Sequence, residues 1–349
     1  MGNRRLAVML AAAGLGLAAL APLAAQAAQP AAAHRGASLV AVSCPAAKFC
    51  LAVGGHSARG GRRSLAEEWN GKAWRQLTSA PGRGLSGVSC TSTWFCMVTV
   101  AATAKAPESA EIFNGRTWRA TTTPPPGSTR ISCASRRLCM VLRYGTRETV
   151  EKWNGAKWSA FPPLCGPDPP SGCELMALSC ANALNCMVTG EGTTDDNGDL
   201  AGLSFVWDGT GWSSVQTPYT FGSRTVSCAG TGFCMILPWA SYNGSWTIIP
   251  ACARPHCGLG QVLSCASARF CMTVWAPGHV ASIWDGTSLT VTNLAPVTGA
   301  GRPDLPGLSC ATATSCMTVG SYTKNSQGFT LAELWNGTRW QITKTLSPR

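Results

Sequence analysis

Apolar residues come in short runs with polar breaks, and the breaks recur. Residues 86–100 read SGVSCTSTWFCMVTV, two apolar runs flanking a small polar turn, and the phrase returns as VSCPAAKFCLAV from Val42, ISCASRRLCMVL from Ile131, LSCANALNCMVT from Leu178, VSCAGTGFCMIL from Val226, LSCASARFCMTV from Leu263 and LSCATATSCMTV from Leu308. A second phrase follows each copy: EWNGKAW at 68–74, IFNGRTW at 112–118, KWNGAKW at 152–158, VWDGTGW at 206–212, SYNGSW at 241–246, IWDGTSL at 283–289 and LWNGTRW at 334–340. Short alternating runs rich in Val, Thr and aromatic residues are strand signals, and Asn-Gly or Asp-Gly between them is a hairpin signal. Each unit therefore reads as four antiparallel strands. Strand 1 ends at the first cysteine, strand 2 starts at the second, strand 3 ends at an aromatic residue and strand 4 follows the Asn-Gly turn.

The first cysteines stand at 44, 90, 133, 180, 228, 265 and 310, a mean spacing of about 44 residues, which is one propeller blade. Four short strands cannot bury both faces alone, so the units must stack, and seven in a ring leave no terminal face exposed. The predicted fold is all-β, a seven-bladed β-propeller over residues 38–349, with an open β-solenoid or two smaller β domains as alternatives. The termini share no obvious blade, so the ring is expected to close by face packing, with at most a short strand from the N-terminal segment.

The stretch LAVGG…LAEEWNGKAWRQL, Leu51 to Leu77, resembles a kelch repeat, in which an apolar strand ends in paired glycines and an aromatic residue precedes a tryptophan across a turn. The resemblance implies a kelch-like propeller and brings no activity with it. The Ser-Cys-x5-Cys phrase is foreign to kelch and resembles a secreted bacterial propeller-type repeat with no assigned activity.

The first 27 residues differ from the rest. Arg4 and Arg5 precede an apolar, alanine-rich run broken by Gly14, Gly16 and Pro22, and Ala25-Gln26-Ala27 has the small-x-small form of a processing site. This is the pattern of a cleaved export signal, by the general or the twin-arginine route. Residues 28–37 read as a flexible segment. No cysteine lies near the cleavage site to carry a lipid anchor, and no later run reaches the length of a membrane span. The mature chain is expected to be monomeric and extracellular, either free or associated with the cell wall.

Eighteen cysteines in an exported chain point to disulfides. Near neighbours pair as Cys44–Cys50, Cys90–Cys96, Cys133–Cys139, Cys165–Cys173, Cys180–Cys186, Cys228–Cys234, Cys252–Cys257, Cys265–Cys271 and Cys310–Cys316. Zinc is disfavoured, because Cys-x5-Cys is not a usual ligand spacing and the chain has four histidines. Each repeat bridge flanks a hairpin turn and closes a small ring, worth roughly 2 kcal/mol in the chain-entropy picture.

Removing the signal takes away two arginines and no acids, so the formal charge falls from +12 to +10. Such a balance favours anionic neighbours, such as wall polymers or acidic lipid headgroups, over neutral ones. No basic helix or nucleic-acid module is present, so nucleic acid is not an expected partner.

Other recurrent positions have packing readings. Serine precedes every first cysteine, at 43, 89, 132, 179, 227, 264 and 309, and is expected to bond a neighbouring backbone rather than act as a nucleophile. Methionine follows six second cysteines, at 97, 140, 187, 235, 272 and 317, as gap filler between blades rather than a copper ring. The turn-flanking tryptophans read as blade packing before sugar platforms. Glu67, Glu111, Glu151 and Glu333 recur two positions before the strand-3 aromatic and are expected to pair with neighbouring Lys or Arg.

Strand polarity puts both short turns of every blade on one rim and all long loops on the other, where a ligand site is expected. The candidate ligand residues there are Trp239, Trp275, His279, Arg254, His256, Tyr144 and Arg143. Asp195, Asn197 and Asp199 have the opening of a calcium loop, but Leu200 stands where glycine is needed and no distal glutamate follows, so an acidic surface loop is the preferred reading. No cofactor is expected. Paired catalytic carboxylates, an oxidase cluster and a sialidase arginine triad cannot be assembled from the sequence. The expected function is non-catalytic binding of an extracellular glycan or protein. A polysaccharide hydrolase or lyase using Asp168, Asp195 or Asp199, and a structural envelope protein, are the alternatives.

Overall fold

A computed structural model describes residues 36–58, 61–77, 84–100, 108–121, 128–143, 148–166, 173–193, 200–218, 222–250, 260–299 and 301–346. Strands are numbered in chain order. Blade one is β1 (Ser38–Ala46), β2 (Phe49–Ala58), β3 (Gly61–Trp69) and β4 (Trp74–Gln76), hydrogen-bonded in that order. Six further four-stranded antiparallel sheets repeat the order over residues 85–120, 128–160, 174–216, 226–248, 262–293 and 304–342. The fold is a seven-bladed β-propeller, and a single 3-10 turn at Ala276–Gly278 is the one helical element among the described residues.

The first strand of every blade contributes to the lining of one axial channel, so strand 1 is innermost. The cysteines of a repeat lie directly opposite each other, as Cys133 does to Cys139 and Cys310 to Cys316, and all seven repeat bridges are formed with Cα atoms 3.9–4.1 Å apart. That separation belongs to the close, non-hydrogen-bonded class of antiparallel pair, in which each residue's N–H points away from its partner strand. On strand 1 it therefore points to the open inner edge. There the serine of the preceding blade accepts it: Cys90 N–H donates to Ser43 Oγ, Cys133 to Ser89, Cys180 to Ser132, Cys228 to Ser179, Cys265 to Ser227 and Cys310 to Ser264, all at 2.8–2.9 Å. Cys44 donates to Ser309 at 2.9 Å and completes the circle.

Adjacent residues of a strand face opposite sides of its sheet. In strand 2 the second cysteine turns to the preceding blade and the methionine after it to the following one. Met140 packs with Cys180 and Cys186 of blade four, and Met235 with Cys271 of blade six. Seven buried clusters fill the seven interfaces, and all six methionines are fully buried, as is Leu51, which replaces them in blade one.

Strand 1 runs past the first cysteine rather than ending there, so that Ala46 pairs with Phe49 and Ser92 with Phe95 across two-residue turns. The Asn-Gly turn is longer than a two-residue hairpin. Trp69 pairs with Trp74, and Asn70 Oδ1 accepts the N–H groups of Lys72 and Ala73 at 2.9 Å. The Asx side chain replaces a backbone acceptor, and Gly71 takes φ +90°, which a side chain would resist. Asp208 holds the same turn in blade four. Its pKa is lowered to about 2 by the N–H of Gly211 and the N–H and hydroxyl of Thr210. The flanking aromatics pack in tilted pairs, Trp69–Trp74 at 5.7 Å and Trp335–Trp340 at 5.9 Å, and these four rings are buried.

No described strand is shared between blades one and seven. The seam uses ordinary blade contacts: Trp74 Nε1–H donates to Thr343 Oγ1 at 2.9 Å, as Trp158 Nε1–H donates to Thr121 Oγ1 at 3.4 Å between blades two and three. Gly54 of blade one, the first of the kelch-like pair, stands where a Cβ would strike the Ser38 carbonyl, and Gly190 and Gly320 occupy the same position in blades four and seven. The Cys165–Cys173 bridge is formed on the connection into blade four, while Cys252 and Cys257 lie outside the described residues.

Ser309→Ala and Ser89→Ala each leave one edge N–H without its acceptor. Each is expected to lower stability by about 1–2 kcal/mol. Equal losses in denaturant titrations are the expected result, because the seam carries the same bond as the other interfaces.

Candidate functional site

In blades one to four, six and seven, the two short turns touch. A Cβ on Gly71 would lie 3.0 Å from Lys48 Cγ, and one on Gly155 would lie 3.1 Å from Arg137 Cγ. The long connections therefore leave from the opposite rim, as strand polarity predicts.

The axial channel encloses about 210 Å³. Its wall consists of residues two to four positions before each first cysteine, most of them small or aliphatic, among them Val42, Val88, Ala177 and Leu308. Three longer polar side chains interrupt this wall: Arg130 in blade three, Arg224 in blade five and Gln261 in blade six, all exposed. They stand where strand 1 enters, at the long-loop end. Neither arginine has an ion-pair partner among the described residues. Two guanidinium groups and an amide that line one channel form a site that attracts an anionic group. None of the three was a sequence candidate. Part of their signal was available: Arg130 stands three residues before its repeat cysteine, and Arg224 and Gln261 four before theirs, where most other blades carry small or aliphatic residues.

The residues the sequence singled out scatter. Trp239 is 3 % exposed and packs between blades five and six with Phe233, Met235, Ile249 and Leu289, so it offers no open face for stacking. Trp275 is half-buried at the end of strand 2 in blade six, with its ring against Gly278. His279 closes the adjoining 3-10 turn in the left-handed region, φ 54°, and its N–H donates to the Ala276 carbonyl. These two form one corner of the long-loop rim. Arg143 ends strand 2 of blade three opposite Thr149, with a buried Nε that lacks a hydrogen-bond partner among the described residues, and its charge partly offsets the burial that raises the pKa of Glu151. Tyr144, Arg254, His256, Asp195, Asn197, Asp199 and Asp168 lie outside the described residues. Among the described residues, no group of three or more His, Cys, Asp or Glu is placed to hold a metal ion.

The strand-3 glutamates correct an expectation. Glu67 and Glu333 are fully buried and meet no Lys or Arg among the described residues. Glu333 Oε2 accepts the Ala295 N–H at 2.8 Å and Glu67 Oε2 accepts the Leu346 N–H at 3.1 Å. Both donors stand six residues after the start of the preceding blade's fourth strand, so the carboxyls tie each departing chain to the next blade. Each other oxygen is buried without a partner among the described residues. A charged partner was expected because exposed outer strands usually carry cross-strand pairs, but this position points into the blade interface.

No protein-family model and no curated protein matches the chain. Solved structures share its fold at low identity. YCF48 from Cyanidioschyzon merolae aligns at 13 % identity and TM-score 0.52 over 85 % of this chain and 95 % of its own. YCF48 bound to D1 peptide aligns at 11 % and 0.53 over 86 % and 94 %. The β-propeller domain of the Trilobed protease from Pyrococcus furiosus, described as having an open velcro topology, aligns at 8 % and 0.55 over 89 % and 97 %. These likenesses support the propeller architecture and nothing finer.

Burial raises both Glu67 and Glu333 from 4.5 to about 7, and the backbone N–H bonds only partly offset it. The folded chain thus keeps protons that the unfolded chain loses between pH 4.5 and about 7. The stability these groups contribute is complete below pH 4.5, declines as pH rises through about 7 and then levels, by at most ~3 kcal/mol per carboxyl. In denaturation midpoints measured across that window, Glu67→Gln with Glu333→Gln is expected to flatten the decline.

Proposed function

We propose that the chain is a secreted, non-catalytic binding propeller whose ligand, an acidic extracellular glycan or protein segment, seats on the long-loop rim at the mouth of the axial channel. The observation that carries this reading is the pair Arg130 and Arg224, which line the same channel without ion-pair partners among the described residues. Two guanidinium groups on one channel wall, with no carboxylate lining it, favour an anionic ligand there. Trp275 and His279 stand on the same rim and extend the surface to one side.

Secretion rests on the N-terminal signal pattern and on the eight bridges formed among the described residues, which need an oxidising compartment to persist. Among the described residues no helix is long and apolar enough to cross a membrane. The paired glycines Gly54-Gly55 and the aromatic-turn-tryptophan phrase favour a kelch-like lineage for the blades. A propeller of similar architecture has been solved with a bound peptide, which is consistent with a protein ligand.

Retention on acidic and neutral glycan arrays and on immobilised wall material tests the reading. The purified chain is expected to hold acidic ligands. Arg130→Gln with Arg224→Gln is expected to weaken retention about a hundredfold, at roughly one decade per lost charge-assisted contact, with melting unchanged because both side chains are exposed. Unaltered retention by that double variant, or turnover of a bound polymer, would overturn it.

A further inference from the structure

The rim of short turns, opposite the proposed ligand site, is electrically lopsided. The turns of blades seven, one, two and three, contiguous around the ring, carry Arg339, Lys48, Lys72, Arg116, Arg136, Arg137 and Lys157 and no carboxylate; all seven cations are exposed. The turns of the other three blades carry Arg269 against Asp208 and Asp285. Half of one flat rim thus holds seven positive charges, and the other half holds a net charge of −1. Glu68, next to the first Trp of blade one's turn, is already engaged by Arg75 at 3.0 Å.

The same rim carries the two most exposed large apolar side chains among the described residues. Trp94, 61 % exposed, tips the first turn of blade two inside the arc, and Leu184, 64 % exposed, tips the first turn of blade four at its edge. Their backbone turns are rigid. The bridge Cys90–Cys96 closes the turn beneath Trp94 and Cys180–Cys186 the one beneath Leu184, and each side chain lies over the glycine of its neighbouring turn, Gly115 or Gly209. A soluble polyanion would use the cations but gain nothing from the exposed apolar tips. A planar anionic lipid surface attracts clustered Lys and Arg and takes Trp and Leu at headgroup depth.

The geometry points to this rim as a peripheral docking face for an anionic lipid bilayer, with the cationic arc over the headgroups and Trp94 and Leu184 dipping between them. The propeller then sits with its axis along the membrane normal and its long-loop rim facing outward, so the two faces work at the same time. The docking face stands on its own residues and does not depend on the ligand reading for the other rim.

Co-sedimentation of the purified chain with phosphatidylcholine vesicles, with and without phosphatidylglycerol, tests this, using long-chain inorganic polyphosphate as a soluble competitor. Binding is expected only to the anionic vesicles and to fall with salt. Arg136→Glu with Arg137→Glu, and separately Trp94→Ala with Leu184→Ala, are each expected to reduce it about tenfold or more. The second pair leaves the charge unchanged and sits on exposed tips, so its loss reports insertion. Arg130→Gln with Arg224→Gln, on the opposite rim, is expected to leave vesicle binding intact. No preference for anionic vesicles would overturn the proposal. So would full competition by polyphosphate together with an unchanged Trp94→Ala, Leu184→Ala variant, which would assign the arc to a soluble acidic polymer.

Discussion

The register that sets each cysteine opposite its partner does two jobs in every blade. A disulfide across adjacent strands needs the close, non-hydrogen-bonded pair, and that pair necessarily turns the strand-1 N–H toward the axis, away from its own sheet. An inner edge strand with unsatisfied donors would be both costly and adhesive. The serine one residue earlier, on the opposite face, supplies the missing acceptor to the next blade. The seven bonds fall within 2.8–2.9 Å, so the belt is uniform, including at the join between blades seven and one. The ring has no need of a shared strand at its seam because the bond that joins any two blades also joins the last to the first.

Interior packing follows the same alternation. Because the second cysteine and the methionine after it are adjacent on one strand, one blade's sulfur bridge is always covered by the side chain that follows the bridge of the blade before. Methionine suits this position because it is unbranched and can adapt to slightly different neighbours, Trp153 in one interface and Ile236 in another. The buried glutamates add a second tie farther from the axis. In blades one and seven they hold the chain leaving the preceding blade, which at the seam is the C-terminal segment near Leu346.

A scaffold held in this way leaves its two rims free to differ. The long-loop rim gathers an uncompensated arginine pair around an axial mouth; the short-turn rim gathers a one-sided arc of charge with two apolar tips. Neither feature contributes to the blade interfaces, and neither is repeated in every unit. Departures from the repeat, rather than the repeat itself, carry the functional information, since a scaffold position must satisfy the same neighbours seven times and a binding position need not.

Blade number, strand order, the repeat disulfides, the backbone-bonding serines and the packing role of the methionines were all legible in the chain, because each depends on local register and on a pattern repeated seven times. The sequence also placed both short turns on one rim, from strand polarity alone. It could not say which tryptophan is open: Trp239 and Trp275 occupy similar places in adjacent blades, yet one is walled in by Ile249 and Leu289 and the other rests on Gly278 at the rim. It misassigned Glu67 and Glu333, whose partners are backbone groups of another blade, and it missed Arg130 and Arg224, which are 94 positions apart in the chain. Those outcomes depend on which residues the closed ring brings face to face, a long-range property that no local period encodes.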